Sequence, residues 1–299
     1  MSRAAQGYAM VVVSYLLVAL SGTLVALAAA PPSVLLVLRF AVAFVVLGAV
    51  FARRRRLAGI CAPGVRGRLL LMGAFDAATL LLFFFAIRET GVAVATFLYF
   101  MQPVWVALLA PRLLGSATER IVYVAISVAL AGLVVILVPV LSGGGVRVSS
   151  IGIAAGLACG LLYACFSLLV KQLMGRLDSI TLVLSESALD GLFLLPLALW
   201  QTLVAGYVIS GRDLLVALVL GVVCTAVAYT LWMEGTHRVR MQHGAVLGFL
   251  TPVAAPFFAL VLLGQRITAW TVVGGALILA AGILVVVRGQ VELEEEPPL

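Results

Sequence analysis

The sequence predicts an all-α polytopic membrane protein: ten transmembrane helices arranged as two inverted five-helix repeats. Three observations carry that expectation. The first is composition. Of 299 residues, 64% are hydrophobic and only 10% charged, and the mean hydropathy is +1.25; a soluble domain has about a quarter charged residues and under half apolar. The second is run length, because the apolar stretches reach the ~20 residues that a helix needs to cross the hydrocarbon core. The third is that the chain contains itself twice. An offset of 149 lays Arg240–Gly264 over Gly91–Gly115. Leu98, Phe100, Pro103, Val104, Ala110, Leu113, Leu114 and Gly115 then fall on Leu247, Phe249, Pro252, Val253, Ala259, Leu262, Leu263 and Gly264. The echo continues outward with one-residue slips, Gly73 on Gly221 (offset 148) and Gly132 on Gly282 (offset 150). A period of half the chain marks a duplicated architecture.

In order, the expected spans are 8–30, 32–52, 69–87, 91–111, 119–141, 149–171, 179–201, 213–234, 243–263 and 267–288. The first follows Arg3 and ends in ALAAA, as a secretory leader would. Its run is too long for a leader, and removing it would spoil the match between halves, so it counts as a helix. The first repeat takes residues 1–145 and the second 146–290, joined by Ser142-Gly143-Gly144-Gly145; residues 291–299 form an acidic tail. Of the 19 basic residues, 14 fall in loops on the side of the N-terminus and 4 on the other, with Arg39 inside a span. The positive-inside rule then places both termini in the cytoplasm of a prokaryotic plasma membrane. The run Arg53–Arg56 reads as a solvated anchor at the lipid head groups. Because the net charge of +7 sits in these short gaps, it is a topology signal, and no nucleic-acid partner is expected. The four cysteines (Cys61, Cys159, Cys165, Cys224) show no metal-binding spacing, so no disulfide, metal or cofactor is expected. Five spans per half is an odd number, so the second copy enters the membrane from the opposite side. In such inverted repeats the substrate site lies near the midplane between the halves.

Candidate functional residues follow from that geometry. Pro103 and Pro252 sit in mid-span at matching places; each removes an N–H and frees the carbonyl four residues back, here Tyr99 and Gly248. Irregular backbone at membrane depth is tolerated where protein or a wet cavity covers it, so the two prolines are candidate hinges. Ionisable residues within spans are Arg39, Asp76, Glu186 and Asp190, each costing about 2.5–3.5 kcal/mol at mid-membrane unless it faces protein or water. Glu186 and Asp190 share a helix face at i, i+4. Two poorly hydrated carboxyls so placed do not both ionise easily, which suggests a proton-coupling element; the alternative is a structural ion pair with Arg39. Asp76, with Thr79 one turn along, is the stronger cavity candidate. The remaining cavity candidates are Tyr15, Tyr99, Gln102, Tyr163, Ser167, Tyr229, Trp232, Phe249 and Thr251, aromatic and hydroxyl groups of the kind that line small-molecule pockets.

These features resemble the drug/metabolite transporter superfamily, specifically its EamA-type ten-helix group. The resemblance is carried by Gln102-Pro103 with Leu113-Leu114-Gly115 and Thr251-Pro252 with Leu262-Leu263-Gly264. It also rests on the helices ending in Ala131-Gly132 and Ala281-Gly282, on Ala30-Pro31 to Arg39-Phe40, and on Tyr163-Ala164 to Val170-Lys171. Ser116 and Gln265 stand where the group often has Glu, and Leu20-Ser21-Gly22 replaces its common Trp-Gly pair. The resemblance implies a cavity lined by helices 1, 3, 4, 6, 8 and 9, holding Asp76, Tyr99, Tyr163, Tyr229 and Trp232, with helix 7 more peripheral. Members of the group export amino acids, notably aromatic ones, and other small metabolites; others move nucleotide sugars, sugar phosphates or drugs.

The expected function is therefore alternating-access export of amino acids or related small molecules by a monomer or homodimer in contact with membrane lipid. The alternatives are a lipid or lipid-linked sugar carrier of the same fold and, in a different class, an intramembrane metal-dependent enzyme using Asp76, Glu186 and Asp190.

Overall fold

The computed structural model describes residues 2–54, 64–142, 149–264 and 267–289. Arg55, Arg56, Cys61, Gly143–Gly145, Arg147, Gln265, Arg266 and the acidic tail lie outside the described residues. Among the described residues all regular structure is helical, and ten helices are long and apolar enough to cross a membrane. The helices are α1 (Arg3–Leu27), α2 (Pro32–Arg54), α3 (Val65–Tyr99), α4 (Gln102–Leu113), α5 (Arg120–Ser142) and α6 (Ser150–Leu173). They continue with α7 (Ser179–Leu199), α8 (Gly211–Gly221), α9 (Ala228–His237), α10 (Met241–Leu247), α11 (Leu250–Leu263) and α12 (Ala269–Arg288).

Local chemistry sets these limits. Five spans begin at a short polar side chain that accepts a backbone N–H of the first turn: Ser2, Ser149, Asp178, Ser210 and Thr268. The continuous trace of α3 contains two spans, Val65–Val92 and the start of Val94–Leu113, and kinks near their junction at Gly91, whose φ of +81° only glycine adopts freely. The eighth span joins α8 to α9 through a π-helical stretch, Val222–Val227. The ninth joins α10 to α11 across a tight turn.

The packing repeats as the sequence does. The third span packs on the sixth, and the eighth on the first. The third also packs on the seventh, and the eighth on the second. The first packs on the ninth, and the sixth on the fourth, while the second pairs with the seventh and the fifth with the tenth. Exchanging the halves maps the first six of these contacts onto one another in pairs and the last two onto themselves, as an axis in the membrane plane requires. The repeated glycines show why. A Cβ on Gly73 would lie 2.5 Å from Leu189 of α7, and one on its mate Gly221 would lie 2.6 Å from Val42 of α2. Gly132 and Gly274 press against each other's carbonyls where α5 crosses α12. Small residues permit this approach where no hydrophobic effect drives helices together. Phe100 and its repeat mate Phe249 stack at 5.7 Å across the same axis.

One loop is fastened by a buried carboxylate. Asp213 Oδ1 accepts the N–H groups of Ala29 and Ala30, both at 3.0 Å, and Oδ2 accepts the hydroxyls of Tyr207 (2.6 Å) and Ser210 (2.7 Å). The turn between the first two spans is thereby tied to the start of the eighth.

Candidate functional site

Each proline lies just inside a helix that restarts after a break. α3 ends at Tyr99 and α4 begins at Gln102, with Pro103 in its first turn; α10 ends at Leu247 and α11 begins at Leu250, with Pro252 in its first turn. The Gly248 carbonyl, expected to be freed, accepts the Thr251 N–H at 3.0 Å, because the turn tightens from i+4 to i+3 bonding. The Tyr99 carbonyl lies against Gly160 of α6, where a Cβ would come within 3.2 Å of it. Both restarted helices end at the glycine of the LLG motif, Gly115 (φ +70°) and Gly264 (φ +67°).

Between the halves lies a cavity of about 380 Å³. The structure brings nine of the eleven expected residues to its wall: Tyr15, Asp76, Thr79, Tyr99, Gln102, Tyr163, Tyr229, Trp232 and Thr251. Ser167 and Phe249 are not among them. The Ser167 hydroxyl bonds back to the Tyr163 carbonyl of its own helix at 2.8 Å, and Phe249 is buried against Phe100. Glu186 does line the cavity, so the seventh span is less peripheral than the resemblance implied. Ser14, Ser21, Phe83, Thr96 and Phe166 join the wall without having been singled out in the sequence. Ser14 and Ser21 lie two helical turns apart, a polar pair in an apolar span that could have marked this face of α1.

The aromatic wall is continuous. Tyr99 meets Tyr163 (5.3 Å between centroids), Tyr163 meets Phe166 (5.5 Å), and Phe166 stacks on Trp232 (6.4 Å). Trp232 Nε1 donates to the Tyr15 hydroxyl at 2.9 Å. One side of the cavity is acidic. Asp76, Glu186 and Asp190 bring carboxyl oxygens within 4.8 Å of one another, all buried. Arg39 acts on all three through its charge but does not bond to them. Its Nε donates to Thr225 at 2.5 Å and its Nη2 to the Tyr229 hydroxyl at 2.6 Å and the Cys224 carbonyl at 3.4 Å. In place of the ion pair with a carboxylate that stood as the alternative to proton coupling, Arg39 bonds to Tyr229 and to the π-helical stretch, which turns Thr225 and the Cys224 carbonyl toward α2. The offset that carries Gly73 to Gly221 carries Asp76 to Cys224, beside Thr225. The acidic cluster and the arginine site therefore occupy mirrored places in the two halves.

The end of the bundle that holds the N-terminus is closed by polar contacts between the halves. Glu119 Oε1 accepts from Arg240 at 2.8 Å and lies 3.4 Å from His243 Nε2. His243 Nδ1 meets the Tyr8 hydroxyl at 2.6 Å, Arg238 donates to Gln6 at 3.0 Å, and Gln242 Nε2 donates to the Ser116 carbonyl at 3.2 Å. The cavity wall runs from mid-span residues (Ser14, Asp76, Gln102) toward the opposite end (Gly22, Phe83, Ala255).

The profile of the EamA-like transporter family matches residues 5–138 and again residues 150–288, five spans each time. The chain belongs to the EamA-like transporter family. Among its relatives, an uncharacterized transporter of Archaeoglobus fulgidus is 30% identical over 220 residues, covering 74% of this chain and 76% of that protein. The uncharacterized transporter YwfM of Bacillus subtilis is 26% identical over 206 residues, 69% of this chain and 68% of its own. A solved crystal structure superposes with a TM-score of 0.74 at 20% identity, covering 95% of this chain and 97% of that one, and shares the fold. The EamA duplication explains both the repeated helix breaks and the cavity between them.

Proposed function

We propose that the protein is an alternating-access exporter of amino acids, aromatic or hydrophobic ones above all, or of closely related small metabolites. In this reading it sits in a prokaryotic plasma membrane with both termini in the cytoplasm, and Pro103 and Pro252 act as paired hinges. The observation that carries it is the cavity itself: about 380 Å³, set between inverted halves, and walled by Tyr99, Tyr163, Phe166 and Trp232 with polar groups at one side. That size and lining suit a small amphipathic molecule. The contacts closing the N-terminal end, opposite the direction in which the cavity extends, support a carrier held closed at its cytoplasmic face.

Counterflow in proteoliposomes tests the reading. Vesicles loaded with unlabelled phenylalanine, tyrosine, tryptophan or leucine should accumulate the labelled compound transiently, and protein-free vesicles should not. Absence of counterflow for every amino acid tried would remove the substrate assignment.

A further inference from the structure

We propose that the cavity selects its cargo by an ammonium group seated against Asp76 and Glu186, so that cationic amines with an aromatic or aliphatic body are preferred over zwitterionic amino acids. The inference rests on the carrier reading above and moves its preferred cargo from amino acids to the amines related to them.

Charge balance is the starting point. Among the described residues the cavity wall contains two carboxyls, Asp76 and Glu186, and no Arg, Lys or His. Asp190 lies directly behind them, within 4.8 Å. The Arg39 guanidinium gives its hydrogen bonds to Thr225, Tyr229 and the Cys224 carbonyl. Three carboxyls crowded beside one guanidinium do not all ionise unless a further cation is near. A cation entering the cavity supplies the missing charge.

Unpartnered polar groups in the same wall point independently to a ligand. Glu186 Oε2, Ser14 Oγ and Gln102 Nε2 are buried without a hydrogen-bond partner. Glu186 and Ser14 are each 1% exposed and Gln102 is 5% exposed, yet all three line the cavity. Buried polar groups are rarely left unsatisfied unless something else satisfies them. An ammonium donates up to three N–H bonds, which the carboxyl oxygens and the Ser14 hydroxyl can accept.

The aromatic wall favours the same chemistry. Tyr99, Tyr163 and Tyr229 line the same cavity wall as Asp76. Ring faces attract ammonium cations within about 6 Å, and more strongly once water is excluded. A carboxylate on the cargo would meet the opposite situation. Its available donors are neutral, Gln102 Nε2 and hydroxyls, and the field of Asp76 and Glu186 opposes it. The amine is therefore the recognised group, and the cargo carboxylate of an amino acid is a burden.

Equilibrium binding to the purified full-length chain at neutral pH tests this with three ligands of one shape: labelled phenethylamine, with L-phenylalanine and 3-phenylpropionate as competitors. Phenethylamine is expected to bind, L-phenylalanine to compete at least about tenfold more weakly, and 3-phenylpropionate not to compete, since an unpaired buried charge costs this much or more. Asp76→Asn and Glu186→Gln, both close in shape to the native side chains, are each expected to weaken phenethylamine at least about tenfold while helical content is kept. Competition by 3-phenylpropionate equal to that of the amine would overturn the inference, as would full amine affinity in both variants. It would equally be overturned if Mg²⁺ raised the melting temperature in an Asp76-dependent way while no amine bound, because the triad would then belong to a metal ion. Counterflow separates the two readings. Phenylalanine counterflow without amine binding sinks only the amine selectivity, and amine binding without counterflow of any compound sinks only the carrier reading.

Discussion

Asp213 joins two distant parts of the chain through a single carboxylate, and its burial makes that role testable. Its two oxygens accept from Ala29, Ala30, Tyr207 and Ser210. Asp213→Ala leaves both backbone N–H groups and the Tyr207 hydroxyl without their acceptor, and should cost about 2–4 kcal/mol, read as a fall in the detergent melting temperature. Ser210→Ala removes only the capping hydroxyl and should cost about 1 kcal/mol. Half of this motif was legible: Ser210-Gly211-Arg212-Asp213 is a capping box ahead of an apolar run. Its long-range half was not, because nothing in the sequence near Ala29 and Ala30 announces an acceptor 184 residues away. The cavity shows the same division. Residue type singled out Tyr99, Tyr163 and Trp232 as cavity candidates, but spacing does not say which helix face meets the void. Tyr163 and Ser167 share a face at i, i+4, and only the longer side chain reaches inward; the serine bonds back to its own helix.

Helix crossings and helix breaks make their own predictions. Gly221→Ala would put a Cβ 2.6 Å from Val42 and 2.7 Å from the Arg39 carbonyl, and overpacking of this kind should destabilise by about 1–3 kcal/mol. Gly73→Ala should do the same at the mirrored crossing, with thermal melting as the measurement, whereas Gly22→Ala, which meets nothing within 4 Å, should be neutral. The proline breaks differ in kind. The Gly248–Thr251 bond holds the turn without help from the Pro252 ring, so Pro252→Ala should change stability by under about 1 kcal/mol. If the break is a hinge, the same variant should slow counterflow several-fold. A matched loss of stability and flux would instead mark the proline as structural. The repeat made these breaks visible in the sequence, since two mid-span prolines at one offset stand out. The pairing of Gly132 with Gly274 could not be read there, because it depends on which helices cross.

The ends of the molecule are fastened by different chemistry. Ionic and imidazole contacts close the N-terminal end, where Glu119, Arg240, His243 and Tyr8 meet. The repeat mate of Glu119 is Thr268, which caps its own helix instead of bridging the halves. Glu119→Gln weakens the ionic closure and should shift the population toward a form open at that end. A loss of about 1–2 kcal/mol would raise that form by roughly five- to thirtyfold. A single cysteine at Ser116, in a background with the native cysteines removed, should then react faster with an impermeant thiol reagent applied from the N-terminal side. The mirrored placement of Arg39 and the acids explains why two halves so alike must remain different. Paired with a copy of itself, the first half would set Asp76 against Arg39 and neutralise the pocket. The second half, paired likewise, would gather Glu186 and Asp190 twice over with no guanidinium near. Only the unequal pair gathers three carboxyls on one side of the void and holds the guanidinium on π-helical partners apart from them, so the difference in charge between the halves ties each to the other.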